Sequence, residues 1–168
     1  LQKPVFALVT SALEAASNGY QYDDVFRYLK TGLTPFSQEM CDWLENYVLK
    51  WDIRGNRWTQ QKPWNWHPEG YGLPWTDQHK ELVEQLDQLR RAVVAPLENL
   101  RKNTRKTGVG QAISLYKFLE EIELPQRLTQ RAEAWMAEGD LNRAEEYRQL
   151  WEIFAHAIEQ CAQLLGDA

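Results

Sequence analysis

The feature that most restricts the fold of this chain is a spacing of apolar residues that suits α-helices almost from end to end. An early example repeats with a period of about 3.6 residues and consists of Val5, Leu8, Val9, Ala12, Leu13 and Ala16. No segment shows the alternation of apolar and polar residues that is typical of a half-buried strand. The sequence therefore predicts an all-α fold, with about seven helices in an irregular bundle that forms one domain over residues 1–168.

Turn and cap residues divide this pattern into separate helices. Because glycine adopts the left-handed C-cap conformation at little cost, helices are expected to end at Asn18-Gly19, Thr31-Gly32 and Gly139-Asp140. Side-chain oxygens cap helix N termini, and the expected caps are Ser37, Thr76 or Asp77, and Asp140. A proline suits the first helical turn, so Pro125 is expected to restart the chain as a helix.

Three helices carry apolar rows that the sequence specifies in detail. The third helix has a predicted inward row of Met40, Trp43, Leu44, Tyr47 and Trp51. The long helix after residue 76 has a row of Leu82, Leu86, Leu89, Val93, Leu97 and Leu100. Pro96 interrupts that helix and is expected to kink it. The last helix has a row of Tyr147, Trp151, Phe154, Ile158, Cys161 and Leu165.

Residues 52–76, here called the Trp lobe, break the helical pattern. They contain six residues that disfavour helices, which are Gly55, Pro63, Pro68, Gly70, Gly72 and Pro74. Between these lie five large aromatic residues, which are Trp58, Trp64, Trp66, Tyr71 and Trp75. Disordered segments are poor in aromatic residues. We therefore expect an ordered lobe of loops whose tryptophans pack into the helices.

Basic residues next to aromatic side chains make the Trp lobe a candidate for contact with DNA, although the net charge of −5 argues against a general affinity for nucleic acids. Single strands are held by basic grooves and by aromatic rings on which bases stack. The candidates in the lobe are Arg54, Arg57, Trp58 and Lys62. A second basic cluster suited to phosphate contacts consists of Arg101, Lys102, Arg105 and Lys106. The alternative is structural, with Trp58 buried and the arginines bound to helix ends.

No set of residues suited to catalysis or to metal binding stands out. His67, His79 and His156 each lack a second ligand three or four residues away, and His156 is expected to be partly buried. No G-x-x-x-x-G-K-[ST] loop occurs. Adjacent carboxylates such as Glu120-Glu121 point about 100° apart on a helix and do not converge. We therefore expect no catalytic residue, no cofactor and no metal in this chain.

Six short motifs occur in a fixed order along the chain. They are SALE at 11–14, FRYLKT at 26–31, ENY at 45–47, IRGNRWT at 53–59, YKFLEE at 116–121 and AEGD at 137–140. In this order they resemble the B subunit of the bacterial AddAB-type ATP-dependent helicase–nuclease. The resemblance extends over nearly the whole chain, and the shared order makes it more specific than any single motif.

The resemblance implies a non-catalytic accessory helical (2B-like) region of such a subunit, with residues 1–20 as the tail of the motor module and 21–168 as the accessory subdomain. It implies a role in double-strand break repair and recombination, in which the region helps to shape the DNA path. The implied partners are DNA, bound weakly, and the A subunit of the heterodimer. The ATP, magnesium and iron–sulfur cluster of the parent family would lie elsewhere, since its phosphate-binding loop, nuclease acids and cluster cysteines have no counterpart here.

Two further expectations concern location and a competing function. No run of 18 apolar residues and no leader peptide occurs, and Cys41 and Cys161 are isolated. These features favour a bacterial cytoplasmic protein without membrane contact, and the lack of an initiating Met suggests a piece of a longer protein. The competing function is a helical-repeat scaffold for protein–protein interactions. It is favoured by the EGD-x-x-x-A-x-x-Y pattern at 138–147, although no second copy follows at a period of about 34 residues.

Overall fold

The computed structural model describes residues 3–103 and 108–165, and the regular secondary structure of this part of the chain is entirely helical, without strands. The eight helices are α1 (Lys3–Ser17), α2 (Tyr22–Leu29), α3 (Gln38–Trp51), α4 (Asn56–Thr59), α5 (Asp77–Asn103), α6 (Gly108–Glu121), α7 (Leu124–Ala137) and α8 (Leu141–Leu165). The all-α prediction is confirmed. The one helix that the sequence pattern missed is α4, a single turn inside the Trp lobe. None of the helices in the described residues combines the length and hydrophobicity that a bilayer span requires.

Helices α1 and α2 end, and α3 begins, where the turn and cap residues predict. Gly19 and Gly32 both have φ of +74°, the left-handed conformation that glycine adopts without strain. Ser37 caps α3, because its Oγ accepts a hydrogen bond from the Met40 amide at 3.2 Å. Helix α1 packs on α2 and α5 and contributes buried residues to the same core. The proposed division at residue 20 stays a prediction.

The inward row of α3 differs from the predicted one at its start. Leu44 and Tyr47 are buried as predicted, but Met40 and Trp43 are 47% and 48% exposed. Cys41 and Val48 take the positions on the core side. Both rows satisfy helical spacing, and the prediction followed the larger side chains. The helix instead turns the smaller thiol inward, where burial raises the pKa of Cys41 to about 11.

Helix α5 is the central element, and it is continuous across Pro96. It begins as predicted, because the Thr76 Oγ1 accepts a hydrogen bond from the His79 amide at 3.2 Å. Four of the six predicted inward residues are buried, which are Leu86, Val93, Leu97 and Leu100. Leu82 and Leu89 are only half-buried, because the row that faces the core also contains Asp87 and Arg90. A kink at Pro96 stays a prediction.

The last three helices form a closely packed unit, in which α8 lies against both α7 and α6. The α7–α8 turn is a Schellman motif, since the Asp140 amide donates to the Trp135 carbonyl at 2.9 Å and the Gly139 amide to the Met136 carbonyl at 3.0 Å. Gly139 has φ of +84°, as a C-terminal cap requires. On α8, Tyr147 is buried and His156 is exposed, so the prediction that His156 is partly buried was wrong.

The predicted row on α8 is less buried than expected towards its end. Trp151, Phe154 and Ile158 are only partly buried against the core. The side chains of Cys161 and Leu165 lie outside the described set, as do those at positions 3, 109 and 162.

Candidate nucleic-acid interface

The Trp lobe has an aromatic core that continues into the helices. Trp58 is 0% exposed, and its ring meets the buried Trp64 ring edge-on at a centroid distance of 5.5 Å. Tyr47 of α3 lies 5.5 Å from Trp64, and Trp58 also faces Phe26 of α2. Aromatic pairs at these distances contribute about 0.5–1.5 kcal/mol each beyond the area that they bury. The expectation that tryptophans of the lobe pack into the helices is confirmed for Trp58 and Trp64.

A buried charged pair on α5 holds the backbone of the Trp lobe. Arg90 is 1% exposed, and its guanidinium donates to the carbonyls of Trp58, Gln60 and Lys62 at 3.0, 2.7 and 3.0 Å. It also pairs with Asp87 at 2.7 Å. Buried carbonyls need hydrogen-bond partners, and most of this segment is not helical. A single arginine therefore supplies the donors that secondary structure supplies elsewhere.

Asp87 accepts hydrogen bonds from the backbone of the Trp lobe and from a neighbouring arginine. One carboxylate oxygen accepts from the Trp64 amide at 2.9 Å, and the other accepts from the Arg91 Nε at 2.9 Å. Burial by itself would raise the pKa of Asp87, but the hydrogen bonds from Trp64, Arg91 and Arg90 outweigh it and lower the pKa below the usual value. The carboxylate is therefore held in its charged form.

The sequence analysis missed Asp87 and Arg90, although a signal was present. Positions 83, 87, 90, 94 and 97 are spaced alternately by four and three residues, and they form one face of α5. Counting only apolar residues left the two charged positions out of that face. A charged pair inside an otherwise apolar row predicts a buried polar contact.

The basic candidates of the Trp lobe are exposed, whereas the aromatic candidate is not. Arg54 pairs with Asp52 at 3.3 Å. Arg57 donates to the Trp51 carbonyl at 3.1 Å, and its guanidinium lies over the Trp66 ring at 5.3 Å. Lys62 is exposed. Because Trp58 is fully buried, its ring offers no face on which a base could stack, and contact with DNA in this region would fall to the three cations.

The second basic cluster lies only partly within the described residues. Arg101 and Lys102 are exposed at the end of α5, and Arg101 pairs with Glu98 at 2.8 Å. Arg105 and Lys106 lie outside the described residues. This region of α5 therefore presents at least two cations to solvent.

Gly19 and Tyr20 link the loop that carries Arg54 to the part of α5 that carries Arg101. The Gly19 carbonyl accepts from the Gly55 amide at 2.7 Å, which places the Arg54 loop beside the end of α1. The Tyr20 hydroxyl donates to Glu98 at 2.7 Å. Burial and this hydrogen bond raise the pKa of Tyr20, so the hydroxyl remains a donor. One tyrosine side chain thus spans the interval between Arg54 and the Glu98–Arg101 pair.

His67 and His79 meet, although the sequence did not pair them. Their rings are 4.4 Å apart, edge to face. The His67 Nδ1 accepts from the Glu69 amide, so its Nε2 carries the proton that is donated to the Pro74 carbonyl at 3.1 Å. The His79 Nδ1 accepts from the Thr76 amide. These hydrogen bonds join the histidine ring nitrogens to backbone groups of the Trp lobe. No group of three or more metal-binding side chains occurs within residues 3–103 and 108–165.

Comparison with known proteins finds relatives that share one name. No family model matches it. Proteins named as the B subunit of an ATP-dependent helicase/deoxyribonuclease match 98% of the chain, at 36% identity in Clostridium botulinum strain Langeland and 38% in Acetivibrio thermocellus. The protein of that name in Geobacillus thermodenitrificans is 32% identical and matches 97% of the chain. The chain spans only about one seventh of the length of these relatives, 14% in the first and 15% in the other two.

Proposed function

We propose that the chain is a non-catalytic accessory domain of a helicase–nuclease subunit, because it is homologous to a segment of the B subunits of ATP-dependent helicase/deoxyribonucleases. In this role it helps to shape the DNA path and contacts the A subunit during the repair and recombination of double-strand breaks. The ATP, magnesium and iron–sulfur chemistry belongs to other parts of the parent protein. A bacterial cytoplasmic location follows from the same proposal.

The observation that carries the DNA part of this proposal is a basic edge formed by Arg54, Arg57, Lys62, Arg101 and Lys102. All five side chains are exposed. Two hydrogen bonds join the halves of the edge, one from the Gly55 amide to the Gly19 carbonyl and one from Tyr20 to Glu98. Clusters of exposed arginines and lysines on an otherwise acidic protein are an electrostatic footprint for a polyanion.

The edge is suited to phosphate contacts rather than to base recognition. Trp58 and Trp64 are buried, and Arg57 covers the Trp66 ring. Cations that contact phosphates position a protein on DNA but carry no sequence information. Binding through this edge is therefore expected to be weak, independent of sequence and strongly dependent on salt.

The test is binding of tailed DNA to the chain at a series of salt concentrations between about 50 and 200 mM. The informative variant is Lys62→Glu combined with Lys102→Glu, since both side chains are exposed and take no part in the buried Arg90–Asp87 contacts. Losing two phosphate contacts is expected to make the slope of log K against log salt shallower by about 1.8.

The matched control for this experiment is Lys117→Glu, which makes the same kind of charge change at an exposed position of α6. It is expected to leave the salt slope unchanged. The double variant changes the net charge by twice as much as the control, so a loss of binding free energy in the control that is half of the loss in the double variant would mean that only net charge matters, and it would contradict the basic edge. Absence of binding by the unaltered chain at low salt would leave only the role in contacting the A subunit.

The alternative of a helical-repeat scaffold finds little support in the helices. The repeat-like motif lies at the turn between α7 and α8, and these helices have 14 and 25 residues. The preceding described helices range from 4 to 27 residues. A solenoid needs about three similar units that stack on one another, and these lengths do not provide them.

A further inference from the structure

A second candidate site is a pocket between the Trp lobe and the first half of α5. Its volume is about 620 Å³, within the range of about 300–1,000 Å³ that is usual for sites of small organic ligands. We call it the α5 pocket. Its exposed lining residues are Pro63, Asn65, Trp75, Lys80, Glu84 and Gln88.

Trp75 provides the α5 pocket with an aromatic ring that solvent can reach. It is 40% exposed, whereas Trp58 is buried. The Trp75 ring packs against His67 at a centroid distance of 4.8 Å, and the His67 ring nitrogens are bound to the backbone of Glu69 and Pro74. The ring is therefore held in place while part of its surface stays open. An exposed aromatic ring in a fixed position is suited to stacking of a planar ligand.

Two side-chain amides line the same pocket. Asn65 in the Trp lobe and Gln88 on α5 are exposed. Neither amide has a hydrogen-bond partner within residues 3–103 and 108–165. Each amide offers both a donor and an acceptor, and this is the pair of groups that binds the edge of a nucleobase. The pocket thus combines a surface for stacking with groups for hydrogen bonding.

The charges around the α5 pocket favour an anionic ligand. Lys80 lines the pocket, and Lys62 lies one residue before its lobe side. Both are exposed, and neither pairs with a carboxylate in the part of the chain that the structure describes. Asp87 also lines the pocket but is paired with two arginines. Glu84 is then the one lining carboxylate without an ion-pair partner among the described residues, and a carboxylate can accept a hydrogen bond from the amino group of a base.

We propose that the α5 pocket binds one nucleobase of single-stranded DNA. The base stacks on Trp75, its edge forms hydrogen bonds with the amides of Asn65 and Gln88, and the neighbouring phosphates lie near Lys62 and Lys80. The assignment to DNA rests on the proposed function. It adds a contact with a base to the phosphate contacts of the basic edge, and Lys62 belongs to both surfaces. An apolar protein segment in the pocket would leave both amides covered without partners, which is unfavourable.

The first test titrates deoxyadenosine monophosphate into the chain at constant ionic strength and follows the side-chain amides of Asn65 and Gln88 by NMR. Deoxyribose phosphate, which lacks the base, is the reference ligand. Saturable shifts of both amides are expected with the nucleotide and not with the reference. Trp75→Ala is expected to weaken nucleotide binding at least about fivefold, the lower limit for the loss of one base–aromatic stack. Trp75→Phe is expected to retain most of the affinity.

The variant that decides this test without any risk to the fold is Gln88→Ala, because the side chain is exposed and its amide has no partner within the described residues. It is expected to weaken nucleotide binding about fivefold, the effect of one hydrogen bond. No saturable shift with the nucleotide, equal shifts with the reference ligand, or unchanged affinity of Gln88→Ala would overturn the base site.

Two matched controls make the same changes outside the α5 pocket. Trp43→Ala removes a tryptophan of α3 that is 48% exposed, and Gln85→Ala removes an exposed glutamine of α5. Neither residue lines the pocket, so both variants are expected to bind the nucleotide as the unaltered chain does. Losses in the controls equal to those in Trp75→Ala and Gln88→Ala would contradict the assignment to this pocket.

The second test measures binding of the chain to tailed DNA in which the single-stranded tail either carries adenine bases or is abasic. The unaltered chain is expected to bind the tail with bases at least about fivefold more tightly, and Gln88→Ala is expected to reduce this preference. Equal affinity for both tails would overturn the base contact, while the phosphate contacts of the proposed function would stand.

The remaining outcomes separate the site from the proposed function. If the chain binds the nucleotide but no tailed DNA, the DNA part of the proposed function fails while the base site stands. If Gln88→Ala loses binding to the A subunit and keeps its preference for the tail with bases, the pocket is a protein contact and the proposal is overturned.

Discussion

The Trp lobe and the α6–α8 unit satisfy the hydrogen bonds of their backbones in different ways. In α6–α8, helices satisfy their own backbone, and apolar rows from Leu119, Leu128 and Leu150 fill the interior. In the Trp lobe, backbone carbonyls at 58–62 depend on Arg90. The first solution tolerates substitution by any apolar side chain of similar size. The second depends on the number and direction of the donors of one side chain.

The same difference decides what the sequence could predict. The positions of α6, α7 and α8 follow from spacing and from the Gly139-Asp140 signal, because local preference and tertiary packing agree there. The interior of the Trp lobe does not follow, since its geometry is set by Asp87 and Arg90, more than twenty residues further along the chain. The lobe's existence and its aromatic packing were predictable from composition, but its shape was not.

The sequence predicted the exposure of some candidate DNA contacts but not the burial of others. Exposure of Arg54, Arg57 and Lys62 agrees with their charge, whereas Trp58 was misleading because a tryptophan in a loop suits both a stacking platform and a core. The link between the Arg54 loop and the Glu98–Arg101 pair runs through the hydrogen bond from Tyr20 to Glu98, which are 78 residues apart. No local pattern in the sequence encodes such a distance.

The largest expected effect comes from Arg90→Met. The substitution keeps an apolar stem but leaves three carbonyls without donors and Asp87 as a buried charge without its closest partner. Breaking a buried ion pair from one side costs about 3–5 kcal/mol. The urea midpoint, followed by near-UV circular dichroism of the tryptophans, is expected to fall accordingly.

The matching change in α6–α8 is Leu150→Met, at a buried position of α8. An apolar swap that keeps the volume is expected to cost less than about 1.5 kcal/mol. Similar losses of stability in Arg90→Met and Leu150→Met would remove the distinction between the two regions.

A smaller effect is expected from glycine replacements, one in each region. At Gly139 a new Cβ would meet nothing within 4 Å, so Gly139→Ala measures backbone strain alone, about 1–2 kcal/mol. Gly139→Asn is expected to recover most of this loss, because asparagine tolerates the left-handed cap. Unfolding in urea measures both changes.

In the Trp lobe, Gly55 has φ of 62° and ψ of −134°, outside the left-handed helical region that asparagine accepts. Gly55→Ala and Gly55→Asn are therefore both expected to lower the urea midpoint of the chain. Rescue by asparagine at Gly55 as complete as at Gly139 would show that the lobe is no more demanding than a helix cap.

The smallest expected effect is a pH dependence from Asp87, which binds the backbone of the Trp lobe. The folded state lowers the pKa of Asp87, so the unfolded chain binds the proton more readily, and acid favours unfolding. The contribution of Asp87 is complete above the pKa of an unfolded aspartate, about 3.9, and is lost as the pH falls from there through the lower, folded pKa. Asp87→Asn is expected to be less stable than the unaltered chain at neutral pH, and this difference in urea midpoint shrinks as the solution is acidified.

The control for this pH dependence lies in the α6–α8 unit. Glu145→Gln makes the equivalent change at an exposed ion pair of α8, where solvent screening leaves little to lose. The urea midpoint of Glu145→Gln is therefore expected to lie close to that of the unaltered chain. A difference for Asp87→Asn that does not change with pH would mean that the carboxylate holds the lobe by shape and not by charge.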